Sequence, residues 1–196
     1  MPIIHSVAID QISGELTIDL QNIKSLKVKY YKIDAEILFS RSPFVKDEAK
    51  HFSYVKPFEQ VDKALEDEVT EVRIPLPESM KKKNMVIEVC SEDKQQFLTY
   101  YQSELKVQVN EKYGELRVFN RSTEVALAKV YVKVFSKNKS GSELFFRDGF
   151  TDIRGKFEYA NASGKSAKDV AKFSILVSDD ETGLGQMIKE VDPPKK

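Results

Sequence analysis

Histidine and cysteine, the side chains that most often act as bases, nucleophiles or metal ligands, are scarce in this chain. The 196 residues include two histidines, His5 and His51, and one cysteine, Cys90. His5 lies near the amino end and His51 in a charged stretch, and neither is interpreted as a catalytic base. Cys90 ends an apolar run, which favours a small buried side chain over a reactive thiol. No pair of these residues has the spacing of a transition-metal site, so the sequence predicts no metal centre. Since neither histidine is interpreted as a base and Cys90 is interpreted as a buried side chain, the sequence also predicts no catalytic residue.

Two runs of acidic residues are the next candidates for chemistry, at positions 66–68 and 179–181. The second run ends the last predicted strand, but it lacks the alternating aspartates that wrap a calcium ion. A solvated turn is the favoured interpretation. The pair Gly183 and Gly185 lacks the third glycine and the surrounding strand-helix pattern of a nucleotide site, so we expect no cofactor.

The charge balance argues against several classes of partner. Thirty-one basic and 31 acidic residues give a formal net charge of zero, which provides no global field for nucleic acid or an anionic membrane. No stretch approaches the roughly 20 apolar residues of a membrane span. We therefore expect a cytoplasmic protein without nucleic-acid binding or membrane insertion. Three Asn-x-Ser sequons, at Asn120, Asn138 and Asn161, leave a secreted origin open.

Apolar residues alternate with polar ones over most of the chain, which is typical of half-buried strands. The fold class predicted from this pattern is all-β, with two tandem antiparallel β-sandwich domains and very little helix. Short helices are predicted only at residues 58–67 and 166–171. A change of parity at Tyr30 and Tyr31 is interpreted as a β-bulge or a bend. The predicted strands are 14–20, 26–39, 69–76, 84–90, 97–101, 105–109, 114–119, 128–135, 143–150, 156–160 and 172–178.

An approximate internal repeat sets the predicted domain boundary. The sequence GELTI at residues 14–18 recurs as GELRV at residues 114–118, and each copy precedes a strand rich in lysine, tyrosine and valine. This places one domain at 1–109 and the other at 110–196. The junction near Asn110 contains neither glycine nor proline, so we expect a stiff connection.

The least regular stretch is residues 40–68, which carries aromatic side chains among charged ones. A connection this long within a compact domain either has a function or covers the core. Its aromatics are predicted to plug the open end of the sandwich or, in the alternative, to bind a partner. These candidate partner-binding residues are Phe44, Phe52, Tyr54 and Phe58.

The second half carries an alternating strand, AKVYVKVF at 128–135, followed by a hairpin with Thr151, Asp152, Gly155 and Phe157. This arrangement resembles the transthyretin-like, or carboxypeptidase-regulatory-like, β-sandwich. The first half, particularly residues 31–40 with Pro43 and Phe44, resembles macroglobulin-like sandwich domains. Most of the chain is also similar to a region near the carboxyl end of large uncharacterised proteins of protists and some bacteria.

These resemblances imply structural spacers or protein-binding surfaces attached to other domains. A hydrolase activity occurs in transthyretin-like folds, but it depends on histidine, and the second half of this chain has none. The thioester motif of macroglobulins is also lacking, because Cys90 is followed by Ser91 and Glu92. The resemblances therefore disfavour an enzyme.

The predicted function is a non-catalytic structural or protein-interaction module, in the carboxyl-terminal part of a larger protein, with an unidentified protein partner. Edge strands such as 114–119 are suited to accept a partner strand. The alternative is a module that binds carbohydrate or another small ligand on an aromatic face. The tyrosines considered for that face are Tyr100, Tyr101, Tyr113 and Tyr131.

Overall fold

The computed structural model describes residues 1–44, 56–91, 94–160 and 167–194. Strands dominate these residues, in the order β1 to β14, and one short helix, α1, follows β3. The elements are β1 (Ile3–Ile9), β2 (Glu15–Gln21), β3 (Ser25–Lys32), α1 (Ala35–Arg41), β4 (Glu59–Ala64), β5 (Glu71–Pro75), β6 (Met85–Ser91), β7 (Lys94–Tyr100), β8 (Leu105–Asn110), β9 (Glu115–Asn120), β10 (Tyr131–Asn138), β11 (Glu143–Phe150), β12 (Lys156–Glu158), β13 (Val170–Asp179) and β14 (Gly185–Val191).

The chain folds into two compact units. Unit 1 contains Met1–Asp34 and Val45–Gln102, and unit 2 contains Ala35–Phe44 and Ser103–Lys196. The division therefore falls before β8, whereas the sequence analysis placed it near Asn110. That residue lies at a hairpin turn inside unit 2, because β8 pairs with β9 along its whole length. The prediction also assigned segment 35–44 to the first domain, and the structure assigns it to unit 2.

Unit 1 is an antiparallel β-sandwich. One sheet has the strand order β1-β2-β5 and the other has the order β4-β3-β6-β7. The inward positions of both sheets form a single apolar core, which includes Leu16 and Ile18 from β2, Val28 from β3 and Ile87 from β6. The alternation of buried and exposed residues along β2 and β3 follows directly from the two-residue period of the sequence.

Unit 2 is a second antiparallel sandwich. Its sheets have the orders β12-β9-β8 and β11-β10-β13-β14. The core between them includes Val118 from β9, Val132 from β10 and Phe173 from β13. The predicted fold class, two tandem antiparallel β-sandwiches with little helix, is confirmed by these two units.

The internal repeat corresponds to the same local structure in both units. Gly14 and Gly114 have φ angles of 68° and 64° and end the turns that lead into β2 and β9. These left-handed angles favour glycine, which has no Cβ atom. The residues that follow, Leu16 in unit 1 and Leu116 in unit 2, are both buried in their respective cores.

Helix α1 replaces the second half of the long strand predicted at 26–39. Glu36 in its first turn and Arg41 in its last turn match the helix dipole, and Pro43 follows its end. Ala35 and Phe39 are buried on one face, whereas Ile37 is 56% exposed. The parity change at Tyr30 and Tyr31 is therefore not a bulge in a continuing strand, because β3 ends at Lys32 and the helix follows.

Both predicted helices are wrong where the structure describes them. Residues 59–64 form strand β4, which pairs with β3 from Tyr30 opposite Glu59 to Ser25 opposite Ala64. Residues 168–169 form a turn and β13 begins at Val170, which leaves no helix over 167–171. Strands β1, β4 and β14 were not predicted.

Candidate protein-interaction surface

The four aromatic residues proposed to bind a partner have different surroundings. Phe44 is buried in unit 2 with 1% of its surface exposed, so the expectation of an exposed partner-binding side chain is wrong for this residue. Phe58 is 55% exposed, and the Lys83 ammonium lies 4.2 Å from its ring centre. Phe52 and Tyr54 lie outside the described residues.

The tyrosines considered for a carbohydrate-binding face differ in exposure. Tyr100 and Tyr101, in unit 1, are buried, with 6% and 8% exposure. Tyr113 and Tyr131 belong to unit 2, where Tyr113 is 60% exposed and Tyr131 is half-buried. Since sugar platforms need exposed ring faces, Tyr100 and Tyr101 cannot contribute to one.

One carboxylate is buried in unit 1. Glu88, on β6, is 2% exposed and accepts hydrogen bonds from the Tyr31 hydroxyl at 2.6 Å and the Lys29 ammonium at 3.2 Å. Burial, and then the hydrogen bond to Glu88, raise the pKa of Tyr31. The three side chains satisfy one another across β3 and β6, which is the arrangement expected of a structural polar cluster.

The structure also describes two side chains of reactive types, Cys90 and His5, both in unit 1. Cys90 is half-buried, its thiol approaches the Lys27 carbonyl oxygen at 3.4 Å, and burial raises its pKa, which lowers the thiolate fraction. His5 is exposed on β1, and His51 lies outside the described residues. Among the described residues, no group of three histidine, cysteine or acidic side chains is placed to hold a metal ion.

The turn after β11 has a structural role. The Thr151 hydroxyl donates to the Leu127 carbonyl at 2.6 Å and accepts from the Val130 amide at 3.0 Å. Asp152 accepts hydrogen bonds from the backbone amides of Arg154 and Lys156. The Arg154 side chain, followed by the amide of Lys156, lowers the pKa of Asp152 to about 2. These residues build a turn that links the two sheets of unit 2. The expected hairpin is wrong, because β11 pairs with β10 and β12 pairs with β9.

A cluster of aromatic rings that the sequence did not indicate lies on β10 and β11, and we call it the aromatic surface. Its members are Tyr131, Phe135, Phe145 and Phe150. In the register of the two strands, Tyr131 lies opposite Phe150 and Phe135 opposite Phe145. The ring centres in these pairs are 5.5 Å and 5.9 Å apart, within the range of favourable aromatic pairs.

The aromatic surface points away from the core of unit 2. Val132 and Val134, the alternate residues of β10, belong to that core, so the intervening side chains lie on the opposite face of the sheet. Phe145 is 47% exposed and Phe150 is 65% exposed. Large aromatic side chains seldom remain this exposed in pairs unless the surface meets a partner.

Polar groups frame the rings and restrict their positions. The Tyr131 hydroxyl donates to Asp148 at 2.8 Å. Burial first, and then this hydrogen bond, raise the pKa of Tyr131 to about 12. The Lys133 ammonium lies 5.8 Å from the ring centre of Phe135. Aromatic anchors with a polar rim are typical of protein-interaction sites.

Strand β11 is an edge strand of its sheet, because β10 is its only neighbour in the described sheet order. An edge strand offers backbone donors and acceptors on its open side. The alternation at residues 143–150 predicts β11 at its observed bounds but does not mark Phe145 and Phe150 as candidates. Their signal is their placement opposite aromatic residues of β10. Counted from the turn that connects the strands, Phe145 lies opposite Phe135 in regular register, but Phe150 lies opposite Tyr131 only because of the shift between Val134 and Phe135, which the sequence does not reveal.

The part of the aromatic surface at Phe135 is covered by α1 and by residues 42–44. The Phe39 ring meets the Phe135 ring edge-on at 5.4 Å. The Lys137 ammonium lies 5.3 Å from the ring centre of Phe44, and the Ser174 hydroxyl donates to the Pro43 carbonyl. All of these residues belong to unit 2.

Comparison with known protein families gives one match for each half of the chain. Residues 104–196 match the AbpF C-terminal domain, and residues 5–87 match the AbpF seventh immunoglobulin-like domain. Each half is therefore similar to an AbpF domain. The actin-binding protein F of Dictyostelium discoideum is 38% identical over 179 residues, which is 91% of this chain. The aligned region is only 8% of the length of that relative.

Solved structures support the fold alone. The chain resembles the NIE-MG1 domains of Escherichia coli alpha-2-macroglobulin with a TM-score of 0.59 and 12% identity, covering 93% of this chain and 91% of that one. For the MG0-NIE-MG1 domains of the same protein, the TM-score is 0.63 and the identity is 11%, covering 97% and 64%. The macroglobulin-like expectation agrees with this likeness at the level of fold, and the transthyretin-like resemblance stays a prediction. Among the described residues, no helix has the length and apolar character to cross a membrane.

Proposed function

We propose that this chain is a non-catalytic protein-interaction module of a larger protein and that its partner is the actin filament. The observation that carries the proposal is the aromatic surface on β10 and β11. There Phe145 and Phe150 are exposed, and each ring pairs with an aromatic ring of β10. The choice of actin is supported by the similarity to actin-binding protein F over most of this chain. A cytoplasmic location follows from the proposed partner.

The non-catalytic part of the proposal is supported by the roles of the titratable residues. Glu88 is ion-paired with Lys29 and hydrogen-bonded to Tyr31, and Asp152 holds the turn between β11 and β12. A catalytic group needs an open position where a substrate atom can approach. These two carboxylates use their oxygens within the fold.

The test is co-sedimentation of the purified chain with actin filaments. We expect the unaltered chain to pellet with filaments above the amount trapped without specific binding. The double variant Phe145→Ala/Phe150→Ala removes the centre of the aromatic surface. Truncation of a buried aromatic anchor at an interface typically costs at least about 1–2 kcal/mol, so we expect a loss of affinity of about tenfold or more.

The matched control is Tyr113→Ala, which removes an exposed ring of unit 2 from the β8–β9 turn. It should pellet like the unaltered chain. A further variant, Phe58→Ala, tests a candidate chosen from the sequence that the structure describes as exposed. If the unaltered chain does not pellet, the actin proposal is wrong. If it pellets and the double variant pellets equally, the assignment of the aromatic surface is wrong.

A further inference from the structure

Segment 35–44 covers part of the sheet that carries the aromatic surface. Its buried residues are Ala35 and Phe39, which lie four apart on one face of α1, and Pro43 and Phe44, which follow the helix. The opposite side of the segment is exposed at Glu36 and Ile37. An amphipathic pattern of this kind places one face of a segment against an apolar surface.

The surface below the segment is the outer face of β10 and β13, and α1 also lies against β14. Ser174 and Leu176 of β13 alternate with core residues and therefore point outward, yet they are 0% and 1% exposed. Phe135 on β10 contacts Phe39 on one side and Phe145 on the other. The covered face and the exposed rings therefore meet at Phe135, which contacts both the segment and Phe145.

The segment has little stability of its own. Helix α1 is seven residues long, well below the length at which isolated helices persist in water. Its order depends on docking, through the Phe39–Phe135 ring contact, the Lys137–Phe44 contact and the hydrogen bond from Ser174 to Pro43. In the described strand order β11-β10-β13-β14, no strand of this sheet pairs with the segment.

We propose that segment 35–44 is a cover that undocks while the sandwich of unit 2 stays folded, and that undocking extends the aromatic surface onto Phe135, Ser174 and Leu176. The binding consequence rests on the function proposed above. The opening itself is independent of that function and is measured without a partner. Local openings of this kind have a lower free energy than global unfolding when few contacts hold the segment.

Two thiols on the same strand separate local opening from unfolding. In a full-length Cys90→Ser background, Ser174→Cys places a thiol below the segment, and Val177→Cys places one in the core of unit 2. The rate of thiol modification is measured for each in native buffer and normalised to the rate in denaturant. We expect the thiol at position 174 to react at least about tenfold faster than the thiol at position 177, because undocking exposes only the first.

Phe39→Ala should raise the rate at position 174 by about tenfold or more, since it removes the main buried ring of the segment, and should change the rate at position 177 much less. Ile37→Ala is the matched control, because this side chain is exposed on the same helix. Equal normalised rates at both thiols, or equal acceleration of both by Phe39→Ala, would overturn the proposal, because the segment would then open only when unit 2 unfolds.

Hydrogen exchange on the unaltered chain gives a reading that needs no substitution. The Ser42 amide donates to the Leu38 carbonyl at 2.8 Å at the end of α1. If the cover opens locally, this amide exchanges much faster than the amides of Ile175 and Val177 in β13. Exchange at one common rate would contradict local opening.

Discussion

Gly155, in the turn between β11 and β12, gives the sharpest test of the local structure. Its φ angle is 70°, and a Cβ atom at this position would lie closer than 3.0 Å to the Val118 carbonyl oxygen and 3.2 Å from the Leu127 amide nitrogen. Gly183 has nearly the same φ angle, 71°, and no atom within 4 Å of an added Cβ. The pair therefore separates the conformational cost of alanine from its steric cost.

The conformational cost is common to both substitutions. An L-residue in the left-handed region costs roughly 1–2 kcal/mol relative to glycine, and this is the whole effect expected for Gly183→Ala. For Gly155→Ala, the strand or the turn must also move, and this disturbs the hydrogen bond from the Val118 amide to the Gly155 carbonyl at 2.8 Å. Losing that bond and the local packing adds about 1–3 kcal/mol, for a total of about 2–5 kcal/mol.

The assay is urea unfolding followed by far-UV circular dichroism and by tyrosine fluorescence. With a slope of about 1–3 kcal/mol per molar urea, the extra destabilisation of Gly155→Ala moves its midpoint about 1 M below that of Gly183→Ala. Hydrogen exchange should locate the loss in β9 and β12, next to the turn. Equal midpoints for the two variants would refute the steric argument, because the φ cost is the same at both sites.

The remaining predictions concern single polar groups. The Tyr159 hydroxyl is buried without a hydrogen-bond partner among the described residues, so Tyr159→Phe should leave the free energy of unfolding unchanged or raise it by up to about 1 kcal/mol. Tyr131→Phe, which removes a bonded hydroxyl, should not stabilise, and a larger gain there would contradict this reasoning. For Asp152, the pKa is about 2 in the folded protein against 3.8 ordinarily, so its carboxylate stabilises above pH 3.8 and this contribution is lost as pH falls through 2. The stability difference between the unaltered chain and Asp152→Asn should shrink over that range, and a constant difference in urea unfolding would count against the Asp152 network.

Features that depend on neighbouring residues were predictable from the sequence. The alternation in β11 gave its bounds, Glu143–Phe150, as observed. The repeated Gly14 and Gly114 mark equivalent turns because a left-handed φ angle is a local requirement. The candidate surface was not predictable in the same way, since the pairing of Tyr131 with Phe150 depends on a register shift between the two strands.

Helix α1 shows why local pattern can be insufficient. Ala35, Ile37 and Phe39 alternate as in a strand, but Ala35 and Phe39 are also four residues apart, as on one face of a helix. A segment of seven residues is compatible with both the two-residue period of a strand and the 3.6-residue period of a helix. Packing favours the helix over the strand, because Phe39 packs against Phe135 while Ile37 remains 56% exposed.

The same ambiguity affected β4. Phe58, Val61 and Leu65 have helical spacing, yet residues 59–64 pair with β3 along their length. Phe58 is 55% exposed, so the three residues do not form one buried face. This segment forms a strand because it pairs with the edge of the sheet at β3. Such pairing depends on the assembled sheet and not on the segment alone.

Strand β13 carries a signal for a third layer in its residue types alone. From residue 173 to 178 the sequence FSILVS contains no charged side chain, whereas β10 has Lys133 and Lys137 on its outer face. A strand with one solvated face alternates apolar and polar residues, and a strand covered on both faces does not. Ser174 is 0% exposed because Pro43 lies against it. The pattern therefore indicates that something covers the outer face of β13, but it cannot identify the cover, since the hydrogen-bonded residues are 131 positions apart in the chain.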